Sequence, residues 1–264
     1  MTAAILPAPK KKSDLALRSV TGIVLIGVAV FCLVYGQEPF WILLSGATLV
    51  MMAEWSSLIG APRWQTWLAL VGLILPLFLE EPHVDVPATA SWYSLLAVAI
   101  GVFAFTRSPR LVAGMLYAAL PTLSLFYIHG QYDGIDLSFW TLAIVWSTDI
   151  GAYFAGRSIG GPKLVPVWSP NKTWAGLIGG MVAAIVIGFA LTLVLHVQPR
   201  LAAFCGLLAI AAQTGDLFES MMKRRAGVKD SGWMLPGHGG VMDRLDGAVP
   251  VLCIVALIVA SGIL

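Results

Sequence analysis

The run "WAGLIGGMVAAIVIGFALTLVLH", residues 174–196, contains no Asp, Glu, Lys or Arg. A helix needs about 20 mostly apolar residues to cross the hydrocarbon core of a bilayer. This run therefore predicts a membrane-spanning helix. Segments of similar character predict eight more, at residues 19–36, 40–59, 64–80, 91–106, 111–129, 138–156, 200–222 and 248–264.

The overall composition agrees with a membrane protein. Hydrophobic residues make up 58% of the 264 residues and charged residues only 11%, whereas a soluble domain carries about 25% charged residues. So few charges cannot cover a water-facing surface. We expect an all-α, polytopic integral membrane protein with about nine transmembrane helices. The formal net charge of +2 gives no reason to expect a nucleic-acid partner.

The distribution of Lys and Arg predicts the orientation. If the N-terminus is cytoplasmic and the chain crosses nine times, every Lys and Arg except Arg200 falls on the inner side, as the positive-inside rule requires. The chain then divides into a basic cytoplasmic segment at 1–18, N-terminal transmembrane helices over 19–136, and a C-terminal region over 137–264 that we expect to be catalytic. Its long inner loops, 157–173 and 223–247, share the cytoplasmic side.

Acidic residues inside the apolar spans are candidates for function. Glu54, Asp149, Asp216 and Glu219 lie in such spans, and an acid at mid-membrane costs about 2.5–3.5 kcal/mol on the insertion scale. Glu54 lies near the inner end of its span, so we expect it to reach the membrane interface. Asp149 is either functional or an acid that bonds to a neighbouring helix.

A polar stripe follows one face of the span at 200–222. Asp216, Glu219, Ser220 and Lys223 have the spacing i, i+3, i+4, i+7, which places them on one side of a helix. A salt bridge between Glu219 and Lys223 would make insertion of this helix less costly. It would leave Asp216 without a partner, and a metal ion is the simplest cation to supply one.

The stretch "KDSGWMLPGHGGVMDRLDGAVP", residues 229–250, concentrates glycine and charge between two apolar runs. Glycine lets backbone approach a ligand closely, so "PGHGG" suits a loop around phosphate oxygens. Asp243 and Asp246 lie about one turn apart and are the kind of ligand that Mg²⁺ takes beside phosphates and water. The alternative is a solvated connection. The local cations for phosphate are Lys223, Lys229, His238 and Arg244.

The other inner loop contains "WSPNKTWAG", residues 168–176. Ser169, Lys172 and Thr173 offer hydroxyls and an ammonium group to a phosphate. Alternatively, Ser169 and Pro170 are only a signal for the start of a helix. From the residues alone, the sequence predicts a carboxylate site with Mg²⁺ that opens to the cytoplasm, which suits phosphoryl or nucleotidyl transfer to a lipid head group.

The stretch "SMMKRRAGVKDSGWMLPGHGGVMDRLD", residues 220–246, resembles the signature of the phosphatidate cytidylyltransferase family, also called CDP-diacylglycerol synthases. Two departures stand out: Asn171 and Ala175 lie where the family often has Lys and Glu, and Gly247 where it often has Ser. The residues that fill the pattern are Ser220, Lys223, Arg224, Lys229, Asp230, Pro236, His238, Gly239, Gly240, Asp243, Arg244 and Asp246.

The resemblance implies a reaction in phospholipid biosynthesis, in which CTP and phosphatidic acid give CDP-diacylglycerol and pyrophosphate. It implies one Mg²⁺, or two that share carboxylates, held by Asp216 and Asp246. It also implies a homodimer in the bacterial inner membrane, with the site facing the cytoplasm. The other site residues it implies are Asp149, Lys223, Lys229, His238, Asp243 and Arg244 as catalytic groups, and Ser169, Lys172, Thr173, Ser220, Arg224, Asp230, Gly239 and Gly240 as substrate-binding groups.

Two other functions fit parts of the sequence. One is a cytidylyltransferase that acts on another lipid phosphate. The sequence does not distinguish these substrates, because no motif in it indicates which lipid chains the enzyme binds. The other is an ion-coupled transporter that uses Asp149 and Asp216. Transporters often show related halves with broken helices at corresponding positions, whereas the polar stripe and the glycine-rich loop here both lie in the second half.

Overall fold

The computed structural model describes residues 11–87, 89–234 and 239–262, and the side chains of all of these except 11–21 and 23. Long helices dominate it. The first five are α1 (Lys11–Tyr35), α2 (Gln37–Leu58), α3 (Arg63–Phe78), α4 (Thr89–Thr106) and α5 (Pro109–His129). Helix α1 begins at Lys11 rather than at 19, so it extends back through part of the predicted cytoplasmic segment.

The second half of the chain adds helices and one small sheet. After α6 (Gly134–Ser158), strands β1 (Lys163–Val165) and β2 (Ser169–Thr173) form an antiparallel hairpin. The remaining elements are α7 (Trp174–Thr192), a 3-10 turn (Pro199–Phe204), α8 (Cys205–Arg225), the short α9 (Met242–Leu245) and α10 (Ala248–Ala260).

The lengths of the helices support an all-α membrane protein. By length and apolar composition, five segments can cross a membrane: α2, α4, α5, α7 and the 3-10 turn together with α8. Apolar helices of 10–17 residues lie at Val24–Tyr35, Arg63–Phe78 and Ala248–Ala260. Each predicted span thus contains a helix within the described residues, while nine crossings and a cytoplasmic N-terminus stay predictions.

The hairpin is an element that the sequence analysis did not predict. It occupies the loop between α6 and α7, which the sequence analysis treated only as a long inner loop. Lys163 pairs with Thr173 and Val165 with Ser169. Because β2 runs directly into α7, the hairpin fixes the direction of Lys172 relative to the helices.

Two apolar cores hold the helices together. The first is centred on α6, α8 and α10 and includes Trp140, whose indole N–H donates to the carbonyl of Gly188 at 2.9 Å. The second is formed mainly by α2, α3, α4 and α5, with Met52 and Leu111 fully buried in it. Helices α5 and α10 contribute to both cores, so the two halves of the chain form one continuous bundle.

Helices α6 and α7 pack with their backbones unusually close. A Cβ at Gly179 would overlap the Cβ of Ala155, and a Cβ at Gly180 would lie 2.8 Å from the carbonyl oxygen of Thr148. Glycine is therefore required at both positions. The "GLIGG" run, residues 176–180, therefore serves helix contact, and this contact fixes both ends of the hairpin loop.

Candidate active site

The polar stripe on α8 forms as its spacing predicted. Lys223 Nζ donates to Glu219 Oε2 at 3.1 Å, which confirms the predicted salt bridge. Ser220 Oγ donates to Asp216 Oδ1 at 3.3 Å, one turn deeper in the helix. The side chain of Glu219 is 0% exposed, and a buried carboxylate of this kind needs its cation because removal from water is costly.

Lys223 also joins α8 to the segment that carries Asp243 and Asp246. Its Nζ lies 2.5 Å from Asp243 Oδ1, and both side chains are largely buried. One ammonium group therefore bridges Glu219 on α8 and Asp243 on α9. This contact brings Lys223 and Asp243, which lie near opposite ends of the signature, into one site.

The second oxygen of Asp243 holds the backbone of the glycine-rich loop. Asp243 Oδ2 accepts hydrogen bonds from the backbone N–H of Ser231 at 2.9 Å and of Gly240 at 2.7 Å. Burial alone would raise the pKa of Asp243, but the Lys223 ammonium and these two N–H groups outweigh it and hold the pKa below its usual value. Asp243 is therefore an ionised anchor for the loop.

Asp216 has a protein partner, which contradicts the expectation that it lacks one. Lys172 Nζ lies 2.6 Å from Asp216 Oδ2 and donates to Gln213 Oε1 at 3.0 Å. The expectation was wrong because strand β2 carries Lys172 from the other inner loop onto α8. The contact joins the inner loop 157–173 to α8.

Asp149 and Asp246 complete a set of interacting charges. Asp149 is exposed on α6, where the charges of Asp216, Lys172 and Arg244 act on it. Asp246 lies between α9 and α10, close enough to feel the charges of Asp216 and Asp149. We call the following five residues the carboxylate cluster: Asp149, Asp216, Glu219, Asp243 and Asp246.

A close approach of backbones supports this arrangement. A Cβ at Gly215 would overlap the carbonyl oxygen of Asp246 and the ring of Pro250. Only glycine lets α8 lie this near to the start of α10. The "GD" pair at 215–216 therefore places a carboxylate beside Asp246 through local packing.

The carboxylates are not arranged as a complete metal cage. In the part of the chain that the structure describes, no group of three or more His, Cys, Asp or Glu side chains is placed to hold a metal ion by itself. A Mg²⁺ site that is completed by phosphates and water needs only one or two carboxylates. Asp216 and Asp246 as metal ligands stay a prediction.

The remaining predicted site residues that the structure describes lie on β2, at the start of α7, and in the segment that follows α8. Thr173 caps α7, where its hydroxyl accepts from Gly176 N–H at 3.0 Å, and Ser169 begins β2. Contact of either hydroxyl with phosphate stays a prediction. Pro236 and His238 lie outside the described residues, and Gly239 follows with a positive φ of 83°. The predicted residues with exposed side chains near the end of α8 are Arg224, Lys229 and Asp230.

The sequence analysis misplaced one polar residue of the site, Glu54, and missed another, Gln213. Glu54 was expected to reach the interface, but its side chain is buried and accepts hydrogen bonds from Val241 N–H at 2.9 Å and Met242 N–H at 2.8 Å. The expectation was wrong because the loop after α8 folds over the end of α2. Gln213, which binds Lys172, was not singled out. For both residues the available signal was a polar side chain inside an apolar span.

Comparison with known proteins identifies the family. A family model described as the cytidylyltransferase family matches residues 16–261, which is most of the chain. The chain belongs to this family. A protein of Brucella suis biovar 1 named phosphatidate cytidylyltransferase is 38% identical over 262 residues, which cover 93% of each chain. A Bacillus subtilis protein of the same name is 34% identical over 251 residues, covering 88% of this chain and 93% of its own.

Membership of the cytidylyltransferase family establishes the class of the enzyme. The chain is a nucleotidyltransferase, and its apolar helices make it a membrane protein. The resemblance first drawn from residues 220–246 is thereby confirmed, and the match extends to the N-terminal half.

Proposed function

We propose that this enzyme transfers CMP from CTP to phosphatidate, giving CDP-diacylglycerol and pyrophosphate. The observation that carries the proposal is the bridge from Lys223 Nζ to Glu219 at 3.1 Å and to Asp243 at 2.5 Å. It gathers the two ends of the signature into one charged site at the end of a membrane helix. Relatives of 34–38% identity named phosphatidate cytidylyltransferase support this choice of substrates.

The reaction requires two anions to approach each other. A phosphate oxygen of phosphatidate attacks the α-phosphorus of CTP, the bond from that phosphorus to the bridging oxygen breaks, and its electron pair leaves with pyrophosphate. Positioning and charge neutralisation should supply most of the rate, as in other phosphoryl transfers. Lys172, Lys223, Lys229 and Arg244 would bind phosphates. Lys172 and Lys223 are already oriented by carboxylates, so little reorganisation is needed.

Mg²⁺ fits the chemistry of the carboxylate cluster. The donors are hard oxygen atoms, which Mg²⁺ prefers, and Asp216 and Asp246 would hold one ion or share two. When fully ionised, the five carboxylates exceed the three neighbouring cations, Lys172, Lys223 and Arg244, by two charges, which one divalent ion neutralises. Bound Mg²⁺ would withdraw charge from the phosphates of CTP. Asp149 and Asp243 would orient the basic groups around it.

The orientation of the enzyme belongs to the same proposal. The inner loops that carry Lys172, Lys223 and Lys229 would face the cytoplasm, where CTP is available, and the chain would reside in a bacterial inner membrane. The homodimer is supported by the family resemblance alone.

A transfer assay tests the proposed function. Purified enzyme in phosphatidate-containing vesicles should convert CTP labelled at the α-phosphate into label that extracts with lipid. EDTA should abolish the reaction and added Mg²⁺ should restore it. Asp246→Asn should lower the rate by at least about a hundredfold, because removal of one preorganised charged group at such a site costs on that order.

The matched control is Asp133→Asn, which makes the same change before α6, at a residue outside the carboxylate cluster. It should leave the rate within about twofold, since surface substitutions away from a site have small effects. Unchanged turnover in Asp246→Asn would remove this residue from the site. Lipid-extractable label with an isoprenoid phosphate but not with phosphatidate would favour the other lipid substrate. Ion uptake without any transfer would favour the transporter.

A further inference from the structure

Glu54 is a buried acid that the reaction itself does not use. Its side chain is 8% exposed, at the end of α2 in the N-terminal half of the chain. Glu54 Oε1 accepts from the N–H of Val241 at 2.9 Å, and Oε2 accepts from the N–H of Met242 at 2.8 Å and the hydroxyl of Ser231 at 3.1 Å. Both oxygens are therefore occupied by donors from one loop.

These donors come from the two ends of the glycine-rich loop. Ser231 begins it, and residues 240–242 end it, so we call Ser231 and residues 240–242 together the loop neck. Asp243 closes the same neck from the other side, because its Oδ2 accepts from the N–H groups of Ser231 and Gly240. Two carboxylates therefore hold the loop neck. One is Asp243 on α9, and the other is Glu54 on α2, which precedes Ser231 by 177 residues in the sequence.

Glycines shape the neck around the Glu54 carboxylate. A Cβ at Gly240 would overlap Ser231 Oγ and lie 2.5 Å from Glu54 Oε1, and a Cβ at Gly232 would overlap the same carboxylate. The backbone therefore closes on Glu54 with no space for another side chain. Such close, charge-assisted hydrogen bonds are stronger than neutral ones, and an unpaired buried carboxylate would be costly.

We propose that Glu54 is a positioning residue that closes the loop neck and so aligns Asp243 with Lys223. It does not reach the substrate, because both of its oxygens already bind the loop. The kinetic consequence of this role rests on the proposed function. The loop ends at Gly239 and Gly240, which are expected to bind substrate, and we assign this binding to the phosphates of CTP. Loss of the Glu54 contacts should therefore weaken the use of CTP more than the use of phosphatidate.

The first experiment compares Glu54→Gln with Glu80→Gln. Glu80 is an acid of the same half that bonds to the hydroxyl of Ser91 and has no part in the loop neck. In Glu54→Gln an amide N–H₂ replaces one acceptor oxygen and faces a donor. We expect the KM for CTP to rise at least about tenfold, with the KM for phosphatidate within about twofold, and both values unchanged in Glu80→Gln.

A second measurement does not depend on activity. Hydrogen exchange of the segment 239–245 should be faster in Glu54→Gln than in the parent or in Glu80→Gln, because either Val241 N–H or Met242 N–H loses its acceptor oxygen. If Glu54→Gln does not fold, Ser231→Ala removes a single hydroxyl from the neck and should shift both readouts in the same direction by a smaller amount.

The outcomes separate this inference from the proposed function. A parent enzyme that transfers no CMP to phosphatidate contradicts the proposed function, while the exchange comparison still decides the role of Glu54. Unaltered exchange in Glu54→Gln and Ser231→Ala would overturn the inference. A fall in kcat that only follows a loss of thermal stability, with both KM values unchanged, would also overturn it, since that is the result of a merely structural role.

Discussion

The two halves of the chain treat buried polar groups differently. In the N-terminal half the described polar contacts are mostly neutral: Thr48 and Thr122 share a hydrogen bond of 2.6 Å, and the indole of Trp55 donates to the carbonyl of Arg110 at 2.9 Å. The C-terminal half has neutral contacts too, such as that of Trp140 with Gly188. It adds buried charged pairs, in which Lys172 contacts Asp216 and Lys223 contacts Asp243.

This difference distinguishes polar contacts that stabilise helix packing from those that serve the reaction. A neutral hydrogen bond between helices satisfies two polar groups and stabilises a contact by about 1 kcal/mol. An ion pair in the same surroundings stabilises the fold little or not at all, because the charges must first be desolvated. Charged pairs are therefore retained where a function needs them. Glu54 is a buried acid of the N-terminal half, but its partners belong to the C-terminal half, because it binds the glycine-rich loop.

The largest effect is expected for Lys223→Met. The change leaves Glu219 and Asp243 buried without their shared cation, and breaking a buried pair in this way costs about 3–5 kcal/mol. Activity should fall by at least about a hundredfold, and the midpoint of thermal unfolding in detergent should drop.

The matched control for Lys223→Met is Lys163→Met at the exposed start of β1. It should leave both the activity and the thermal midpoint near those of the parent. Equal effects of the two substitutions would remove the distinction between charged pairs of the site and ordinary surface charges.

An intermediate effect is expected for Lys172→Met. Asp216 would lose its 2.6 Å ion pair, but its side chain is about one-third exposed and water can partly replace the ammonium group. We expect kcat/KM to fall about tenfold to a hundredfold with a smaller loss of stability than in Lys223→Met. Steady-state kinetics at varied CTP concentration measure kcat/KM. A kcat/KM within twofold of the parent value would exclude Lys172 from phosphate binding.

The smallest effect on catalysis is expected for Thr48→Val. The substitution removes the hydrogen bond to Thr122 in the N-terminal half, which should cost about 1 kcal/mol of stability. Since this contact only joins α2 to α5, kcat and both KM values should stay within about twofold of the parent. A large loss of activity at unchanged stability would show that neutral contacts of this half also serve the site.

The sequence predicted the site best where its geometry is local. The spacing of Asp216, Glu219, Ser220 and Lys223 fixes their common face, because a helix repeats every 3.6 residues. The positions of the long helices followed from apolar length in the same way. Asp243 and Asp246 are also local to one another, since Asp243 lies on α9 and Asp246 directly follows that helix.

Contacts between distant segments were harder to predict. Lys172 reaches Asp216 only because a short hairpin forms between α6 and α7, and its composition resembles any polar loop. The bonds from Glu54 to residues 231–242 cross 177 to 188 positions of sequence. No periodic pattern encodes such a contact, so a single buried acid was the only sign of it.

The glycine contact between α6 and α7 has a consequence for the hairpin that joins them. Because the end of α6 and the start of α7 are in close contact, the two strands between them span a fixed distance. They do not need further contacts with the rest of the protein to keep their position. The turn at residues 166–168 should therefore tolerate an inserted tag or fluorophore, while Lys172, at the anchored base, keeps its register. A fluorophore at this turn should therefore report on changes in the active site without occupying it.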